Sequence, residues 1–355
     1  MGGNAIINGV PSHQIDLKMS HISRTLLTTD IKTCLFKLSN LFYSIHGIHL
    51  WNDSIYFSGS STHLFNAAIP DDEFIFYKPV VGDIDVQLDL KLKDMIKVFF
   101  IFMVPNHRVD NMIYIGHKCS SNQIITIWKH IPTKINIQID FELVDFDNNK
   151  PTEWSQFSHS SSWDDLSMGI KGVFQKYIFR SLQHRKAKDI LILPKTSKGK
   201  EKIIHSGELA FSLKGIRYKI EPVLDEQGNH LIKNGMYVYK ELDSKDSEYI
   251  TDLELIFQMT FNKDPSKDDI TKMASFVGVI DLIVKNFNEL EQKKVLDAFA
   301  NLLWEKGAQG LVRGDPRADY DTKIVAFNYL INKLDIDINE YYPLINKYYG
   351  DIYVR

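Results

Sequence analysis

The chain has few cysteines, little net charge and no long apolar run. Its two cysteines, Cys34 and Cys119, cannot form the disulfide framework of a small secreted domain, so we expect a reducing compartment such as the cytoplasm. The net charge of −3 gives no overall attraction to nucleic acid, so any such binding would need a local basic patch. No apolar run approaches the roughly 20 residues of a membrane span, and the N-terminus lacks the pattern of a secretory signal.

The sequence patterns of several enzyme classes are missing as well. No Gly-X-Ser-X-Gly motif is present, which argues against a serine hydrolase of the α/β type. Cys119 lies near His117, but such a pair is equally typical of neighbours on a strand. The histidines do not show metal-ligand spacing with paired cysteines. With 355 residues, 44% hydrophobic and 25% charged, the composition is that of a globular protein with two or three domains.

The most informative stretch runs from residue 55 to residue 90. Ile55–Phe57 predicts a short strand, Gly59 and Ser60 predict a turn, and a helix is expected to start at Ser61. The start of a helix offers backbone N–H groups, and small hydroxyl side chains add further donors, so this turn suits a phosphate. We therefore predict that Gly59, Ser60 and Ser61 bind phosphate groups.

Two carboxylates follow on the next predicted strand. Asp83 and Asp85 flank Ile84, and residues two apart on a strand point to the same face. Two carboxylates on one face repel each other unless a cation lies between them, and oxygen ligands of this kind suit Mg²⁺. Further along, the alternation of residues 135–146 places Asp140 and Glu142 on one face, where either could supply a third carboxylate.

These motifs resemble the signature of the polymerase-β-type nucleotidyltransferase superfamily. Gly59-Ser60 is followed, after the acidic loop of residues 70–73, by Asp83-Ile84-Asp85, at a spacing longer than is usual in that superfamily. Residues 1–5, Trp154–Phe157 and Gly169–Gly172 are similar to a group of phage-encoded nucleotidyltransferases of obscure substrate. For a phage protein, the cytoplasm would be that of a bacterial host.

The resemblance implies a reaction and a site. An NMP would move from an NTP to an acceptor hydroxyl, and pyrophosphate would be released. Asp83 and Asp85 would hold two Mg²⁺ or Mn²⁺ ions about 3.5–4 Å apart. Asp140, with Glu142 as the alternate, would complete the second metal site and accept the proton. The expected fold is α+β, with a nucleotidyltransferase-type mixed sheet at residues 1–187, a β-rich middle region at 188–248 and a helical C-terminal domain at 249–355.

Basic residues outside this core suggest how an NTP or a nucleic acid could bind. Lys171, Lys176 and Arg180 lie on or near a helix predicted from Leu166 to Arg185, and residues 195–202 form a lysine-rich loop. We expect Lys171 and Lys176 to contact the triphosphate, and the acceptor to be an RNA or tRNA end. Solvated surface charge explains the same residues equally well.

Alternatives remain open for the acceptor and for the reaction. The acceptor could be a protein side chain or a small molecule. A nucleotide-sugar glycosyltransferase also uses Asp-X-Asp, although it would need neither Gly59-Ser60 at a helix start nor Asp140. A binding module that keeps the fold without turnover is a third interpretation.

Three local predictions concern secondary structure alone. The apolar run from Val98 to Pro105 fits a buried strand. Ile31–Ser44 fits a helix capped by Asp30 and ended by His46-Gly47. In the C-terminal region, helices are predicted at four places, Asp269–Asn286, Glu289–Trp304, Tyr320–Leu334 and Ile338–Tyr348.

Overall fold

The chain divides into two compact units, Met1–Gly172 and Val173–Arg355. The computed structural model describes residues 27–51, 54–59, 61–64, 83–104, 108–120, 122–194, 199–212, 214–243, 247–305 and 316–350. The mixed α+β class and the helical C-terminal region are as predicted. The predicted boundaries after residues 187 and 248 both fall inside the second unit. Within the described ranges, no helix is both long and apolar enough to cross a membrane.

A six-stranded mixed sheet organises the first unit. Its strand order is β1-β2-β6-β5-β4-β3, in which β2 and β6 are parallel and all other neighbours are antiparallel. These strands are β1 Tyr56–Ser58, β2 Ile84–Asp89, β3 Arg108–Val109, β4 Met112–Cys119, β5 Gln123–His130 and β6 Asn136–Val144. A small separate pair consists of β7 Phe146–Asp147 and β8 Lys150–Pro151.

The core of this unit lies against one face of the sheet. The predicted alternation is confirmed, since Ile84, Val86 and Leu88 of β2 are fully buried. On β6, Ile139 and Phe141 are also fully buried in the same cluster. The alternate positions of both strands therefore carry their carboxylates on the other face of the sheet.

The run from Val98 to Pro105 is not a strand, and that prediction was wrong. The chain forms a helix at Lys93–Val98 and continues as a π-helical turn at Phe99–Met103. Phe99 and Phe100 are buried, whereas Phe102 is 71% exposed. A short apolar run cannot distinguish a strand from a helix by periodicity alone.

The helix predicted at Ile31–Ser44 is present as α1, Lys32–His46, and ends at Gly47 in the left-handed conformation, with φ 70°. The predicted cap at Asp30 was wrong, because a π-helical turn at Leu27–Ile31 precedes the helix. The Asp30 carboxylate instead lies 2.8 Å from His130 Nε2. A contact between residues 100 positions apart cannot be predicted from local capping rules.

The helix predicted from Leu166 to Arg185 is interrupted. Gly169 has φ 76°, and the left-handed conformation there breaks the helical path. The helices that complete the first unit and lead into the second are α2 Ser61–Leu64, α3 Lys93–Val98, α4 Glu153–His159, α5 Trp163–Ser167 and α6 Gly172–Ser181, followed by a 3₁₀ turn at Leu182–Lys186.

The second unit contains a five-stranded sheet and a separate hairpin. The sheet order is β10-β9-β15-β13, with β14 paired to β15, and β9 is parallel to β15. The strands are β9 Lys188–Leu193, β10 Lys202–Ser206, β11 Leu209–Ser212, β12 Gly215–Tyr218, β13 Ile220–Pro222, β14 Ile232–Lys233 and β15 Met236–Glu241. Asn234 and Gly235 both have positive φ, as their turn between β14 and β15 requires.

Helices make up the rest of the second unit. Asp269–Asn286, predicted as one helix, is two, because Ser275 Oγ accepts a hydrogen bond from Gly278 N at 2.9 Å and starts a new helix. The helices are α7 Leu253–Phe261, α8 Lys267–Met273, α9 Phe276–Asn286, α10 Glu289–Glu305, α11 Pro316–Lys333 and α12 Tyr342–Tyr349, with a 3₁₀ turn at Ile338–Tyr341.

Candidate metal centre

The three predicted carboxylates meet at the parallel pair of strands in the first unit. The register of β2 against β6 places Asp85 opposite Asp140. Asp83 comes two residues before Asp85 and therefore lies toward the same face. One carboxylate oxygen from each of Asp83, Asp85 and Asp140 lies within 4.8 Å of the other two. The sheet thus gathers three acidic side chains that are distant in sequence.

This cluster is electrostatically unfavourable without a cation. Asp140 is only 2% exposed. Burial, together with the neighbouring charge of Asp83, raises the pKa of Asp140 to about 7. Burial and the charges of Asp83, Glu142 and Asp140 raise the pKa of Asp85 well above its usual value. These shifts mark a site where ionised carboxylates are destabilised by burial and by one another.

No described residue supplies the missing positive charge. Within the described ranges, no lysine, arginine or histidine forms an ion pair with any of the three carboxylates. Carboxylate oxygens are the ligands that Mg²⁺ and Mn²⁺ prefer. The donor set of Asp83, Asp85 and Asp140 therefore fits a divalent cation.

Two glutamines hold Asp140 from both sides. Gln138 Nε2 donates to Asp140 Oδ1 at 2.9 Å, and Gln123 Nε2 donates to Oδ2 at 3.1 Å. Gln138 shares the Asp140 face of β6 through its spacing of two residues, whereas the local sequence around Gln123 carries no signal for this site. Gln123 lies on β5, and only the register of β5 against β6 brings it to the site.

Glu142 lies beside the cluster and has its own partner. Ser58 Oγ donates to Glu142 Oε2 at 2.6 Å. Of the two residues left open as the third carboxylate, Asp140 is therefore the one that joins Asp83 and Asp85. Ser58 was not predicted, because its role depends on the pairing of β1 with β2, which sets Ser58 opposite Asp85.

Gly59 is required by its contact with Asp85. Its φ is 56°, and a Cβ atom built there would clash with Asp85 Oδ2 and lie 3.3 Å from Asp85 Cγ. The Gly59 N–H donates to the His159 carbonyl oxygen at 2.7 Å. The N–H that we expected to bind phosphate is thus already engaged, and the absence of a side chain at Gly59 lets the end of β1 pass close to Asp85.

Ser61 supports the start of β2. Its side chain is fully buried, and its Oγ accepts a hydrogen bond from Asp85 N at 2.8 Å and donates to the Asp83 carbonyl oxygen at 3.5 Å. The Ser61 hydroxyl thus ties the turn after β1 to the backbone of both carboxylate residues. Ser60, the other hydroxyl predicted to bind phosphate, lies outside the described residues.

The predicted basic residues lie on either side of the boundary between the units. Lys171 directly precedes Gly172, the last residue of the first unit, and Lys176 lies on α6 in the second unit. A Cβ atom at Gly172 would lie 3.1 Å from Ser161 Cβ. The predicted contacts of Lys171 and Lys176 with a triphosphate stay predictions. Of the lysine-rich loop at 195–202, residues 195–198 lie outside the described ranges.

The chain matches no family model, and a search of curated proteins gives no significant match. The resemblance to the nucleotidyltransferase superfamily therefore stays a prediction.

Proposed function

We propose that this chain is a metal-dependent nucleotidyltransferase that moves an NMP from an NTP to an acceptor hydroxyl and releases pyrophosphate. The observation that carries the proposal is the convergence of Asp83, Asp85 and Asp140, without a described counter-ion, on one face of a mixed sheet. A cluster of this kind suits two-metal phosphoryl-type chemistry. The finer assignment of the sheet to the nucleotidyltransferase fold is part of the same proposal.

The local frame of the cluster supports this assignment. A short strand, β1, ends at Ser58 just before Gly59, and Asp83 and Asp85 lie at the start of β2, as the resemblance implies. Gly59 packs against Asp85, and the Ser61 hydroxyl fixes the backbone at Asp83 and Asp85. Both contacts hold the turn after β1 at a fixed distance from the carboxylates. A nucleotide bound across the turn and the carboxylates would need this fixed distance.

In this proposal the three carboxylates hold the cation. Mg²⁺ bound there would neutralise charge on the triphosphate and lower the pKa of the acceptor hydroxyl. Asp83 and Asp85, adjacent on one strand, are the proposed shared ligands. Ser58 holds Glu142 to one side of them.

Asp140 is the proposed proton acceptor. Burial raises the pKa of Asp140 to about 7 without a metal. A bound cation would lower this pKa, so Asp140 would be ionised and able to accept a proton at neutral pH. Gln123 and Gln138 fix the orientation of its carboxylate through one hydrogen bond to each oxygen. The proton of the attacking hydroxyl would pass to Asp140 as the new phosphoester bond forms.

The proposed acceptor is a nucleic-acid end, such as an RNA or tRNA 3′ hydroxyl. The support is the sequence pattern: Lys171 directly precedes α6, and Lys176 and Arg180 are four residues apart on one face of that helix. Cationic side chains of this kind bind phosphate backbones. A protein or small-molecule acceptor would be recognised by label entering those pools instead.

The test is transfer from each α-³²P-labelled NTP, with Mg²⁺ or Mn²⁺, to RNA, DNA and total protein. Asp83→Asn removes one carboxylate of the cluster, and Asp94→Asn is the matched control at an exposed carboxylate on α3. We expect label in one pool with wild type and Asp94→Asn, and none with Asp83→Asn. Equal transfer by Asp83→Asn would overturn the proposal, and transfer of a labelled sugar from a nucleotide sugar would favour the glycosyltransferase.

A further inference from the structure

A second candidate site lies inside the second unit. A cavity of about 350 Å³ is enclosed by the 3₁₀ turn Leu182–Lys186, the strands β9 and β10, the β11–β12 hairpin and helix α7. Its volume is at the lower end of the range for small-molecule sites. Every lining residue belongs to Val173–Arg355, so the cavity is separate from the carboxylate cluster of the first unit.

Buried polar groups without partners concentrate at this cavity. Among the described residues, eight buried side-chain nitrogen or oxygen atoms have no hydrogen-bond partner, and three of them belong to cavity-lining residues: Gln183 Oε1, Arg185 Nη2 and Thr260 Oγ1. Buried polar groups in proteins are nearly always paired, and an unpaired one costs free energy. The residues that carry these three atoms line one cavity, where a bound ligand could pair them.

Arg185 is the most costly of the three. The residue is 6% exposed, and its guanidinium lies 4.8 Å from the centre of the Phe287 ring. Burial lowers the pKa of Arg185, the charge of Glu291 partly offsets this, and Arg185 forms no ion pair with a described carboxylate. A buried cation is normally paired, so the guanidinium calls for an anion.

The charges around the cavity favour a ligand with two negative charges. Arg185, Lys186 and Lys188 line it together with a single carboxylate, Glu208. That carboxylate already accepts a hydrogen bond from Tyr239 Oη at 2.8 Å. Lys188 Nζ also lies 4.4 Å from the centre of the Tyr237 ring. Arg185 and Lys186 against one engaged carboxylate leave the lining with a net positive charge, which suits a phosphate monoester.

The remaining walls favour a ring with hydrogen-bond donors. The apolar part of the lining consists of Leu182, Ile190, Leu209, Phe211 and Met259. Gln183 Oε1 needs a donor, and Thr260 Oγ1 can pair with a donor or an acceptor. A ligand that carries a dianionic phosphate, a flat apolar body and N–H or O–H donors would satisfy the whole set.

We propose that this cavity binds a nucleoside monophosphate, with the phosphate on Arg185 and Lys186 and the base against the apolar wall near Gln183 and Thr260. The proposal does not depend on the function proposed for the carboxylate cluster. It assigns the second unit a nucleotide site of its own, which would bind without a metal.

Calorimetric titration of the full chain tests this directly. AMP, GMP, CMP and UMP are the probes, with adenosine and inorganic phosphate as partial ligands, all in EDTA. The Asp83→Asn protein is titrated in parallel, to separate this cavity from the carboxylate cluster. We expect at least one monophosphate to bind both proteins equally, at least tenfold more tightly than adenosine or phosphate.

Variants of the lining locate the site. Arg185→Met should weaken binding at least tenfold, as loss of a charged hydrogen bond does. Thr260→Val removes only the unpaired hydroxyl, so it should fold as stably as wild type and still bind more weakly. Lys186→Ala should weaken binding about three- to tenfold, whereas Lys267→Ala, an equal charge change on α8 outside the cavity, should have no effect.

Three results would overturn the proposal. The first is no binding of any of the four monophosphates at millimolar concentration. The second is equal affinity for adenosine or inorganic phosphate and the monophosphate, since the site would then recognise only half of the proposed ligand. The third is wild-type affinity in both Arg185→Met and Thr260→Val, or loss of binding in Asp83→Asn, which would place the nucleotide elsewhere.

Discussion

Replacing Asp140 with asparagine should stabilise the metal-free protein at pH 8 and remove its stabilisation by Mg²⁺ or Mn²⁺. The folded protein raises the pKa of Asp140 from 3.8 to about 7. Between these two values the folded state holds a proton that the unfolded state has released. The stabilisation of the folded state by this proton on Asp140 is therefore fully present below about pH 4 and is lost as the pH rises through 7.

The size of the effect follows from the shift. Each pH unit in this window changes the free energy of unfolding by about 1.4 kcal/mol, so the whole window is worth about 4 kcal/mol. Asparagine carries no proton to lose. The side-chain NH₂ of the new asparagine would face one of the two glutamine donors. Rotation of the Gln138 amide would instead present Gln138 Oε1, which has no partner among the described residues, as an acceptor for this NH₂. After a loss of about 1 kcal/mol for altered hydrogen bonding, we expect a gain of about 2–3 kcal/mol at pH 8.

Urea unfolding followed by tryptophan fluorescence measures this change in the relevant unit. Four of the five tryptophans lie in the first unit, Trp51, Trp128, Trp154 and Trp163. In EDTA, wild type should lose stability from pH 5 to pH 8, and Asp140→Asn should lose less, because only the raised pKa of Asp85 remains. At pH 8, a metal concentration 100 times the dissociation constant should add about 2.7 kcal/mol to wild type alone.

Asp94→Asn, at an exposed carboxylate on α3, is the control and should follow wild type in every condition. The reasoning would be refuted if wild type in EDTA became more stable from pH 5 to pH 8. It would also be refuted if Asp140→Asn kept the wild-type slope with pH or kept the full stabilisation by metal.

Three further substitutions test other parts of the structure. Gly59→Ala should lower Mn²⁺ affinity at least tenfold in a spectroscopic titration, because the methyl group clashes with Asp85; unchanged affinity would contradict that contact. Ser61→Ala should cost about 1–3 kcal/mol in urea unfolding, since Asp85 N–H loses its acceptor, and a neutral result would argue against this role. Lys323→Met should cost about 3–5 kcal/mol by calorimetry, because it leaves the buried Asp319 without its cation 3.0 Å away; a stabilised protein would show that the pair is dispensable.

The carboxylate cluster could be predicted because its members follow a strand period. Asp83 and Asp85 share a face by their spacing of two, and Asp140 falls opposite an apolar alternation that the structure buries. Gln123 and Ser58 could not be found in this way. Each reaches the site from a neighbouring strand, and the register between strands is set by tertiary packing rather than by the local sequence.

The errors in secondary structure have the same origin. Val98–Pro105 is apolar enough for either a strand or a helix, and the burial of Phe99 and Phe100 selected the helix. Asp30 is a good capping residue by type, but its carboxylate contacts His130 from a distant strand. In both cases a tertiary contact decided between local alternatives of similar free energy.

The position of the transferred label decides whether the carboxylate cluster catalyses nucleotidyl transfer. In one reaction the NTP carries ³²P at the α-phosphate, and in the other at the γ-phosphate, with Mg²⁺ and the acceptor pool that the transfer assay identifies. We expect that only the α-label reaches the acceptor and that the γ-label leaves as pyrophosphate. We expect Asp83→Asn neither to transfer the α-label nor to release the γ-label. Transfer of the γ-label to the acceptor, or α-label transfer that persists in Asp83→Asn or in EDTA, would contradict this expectation.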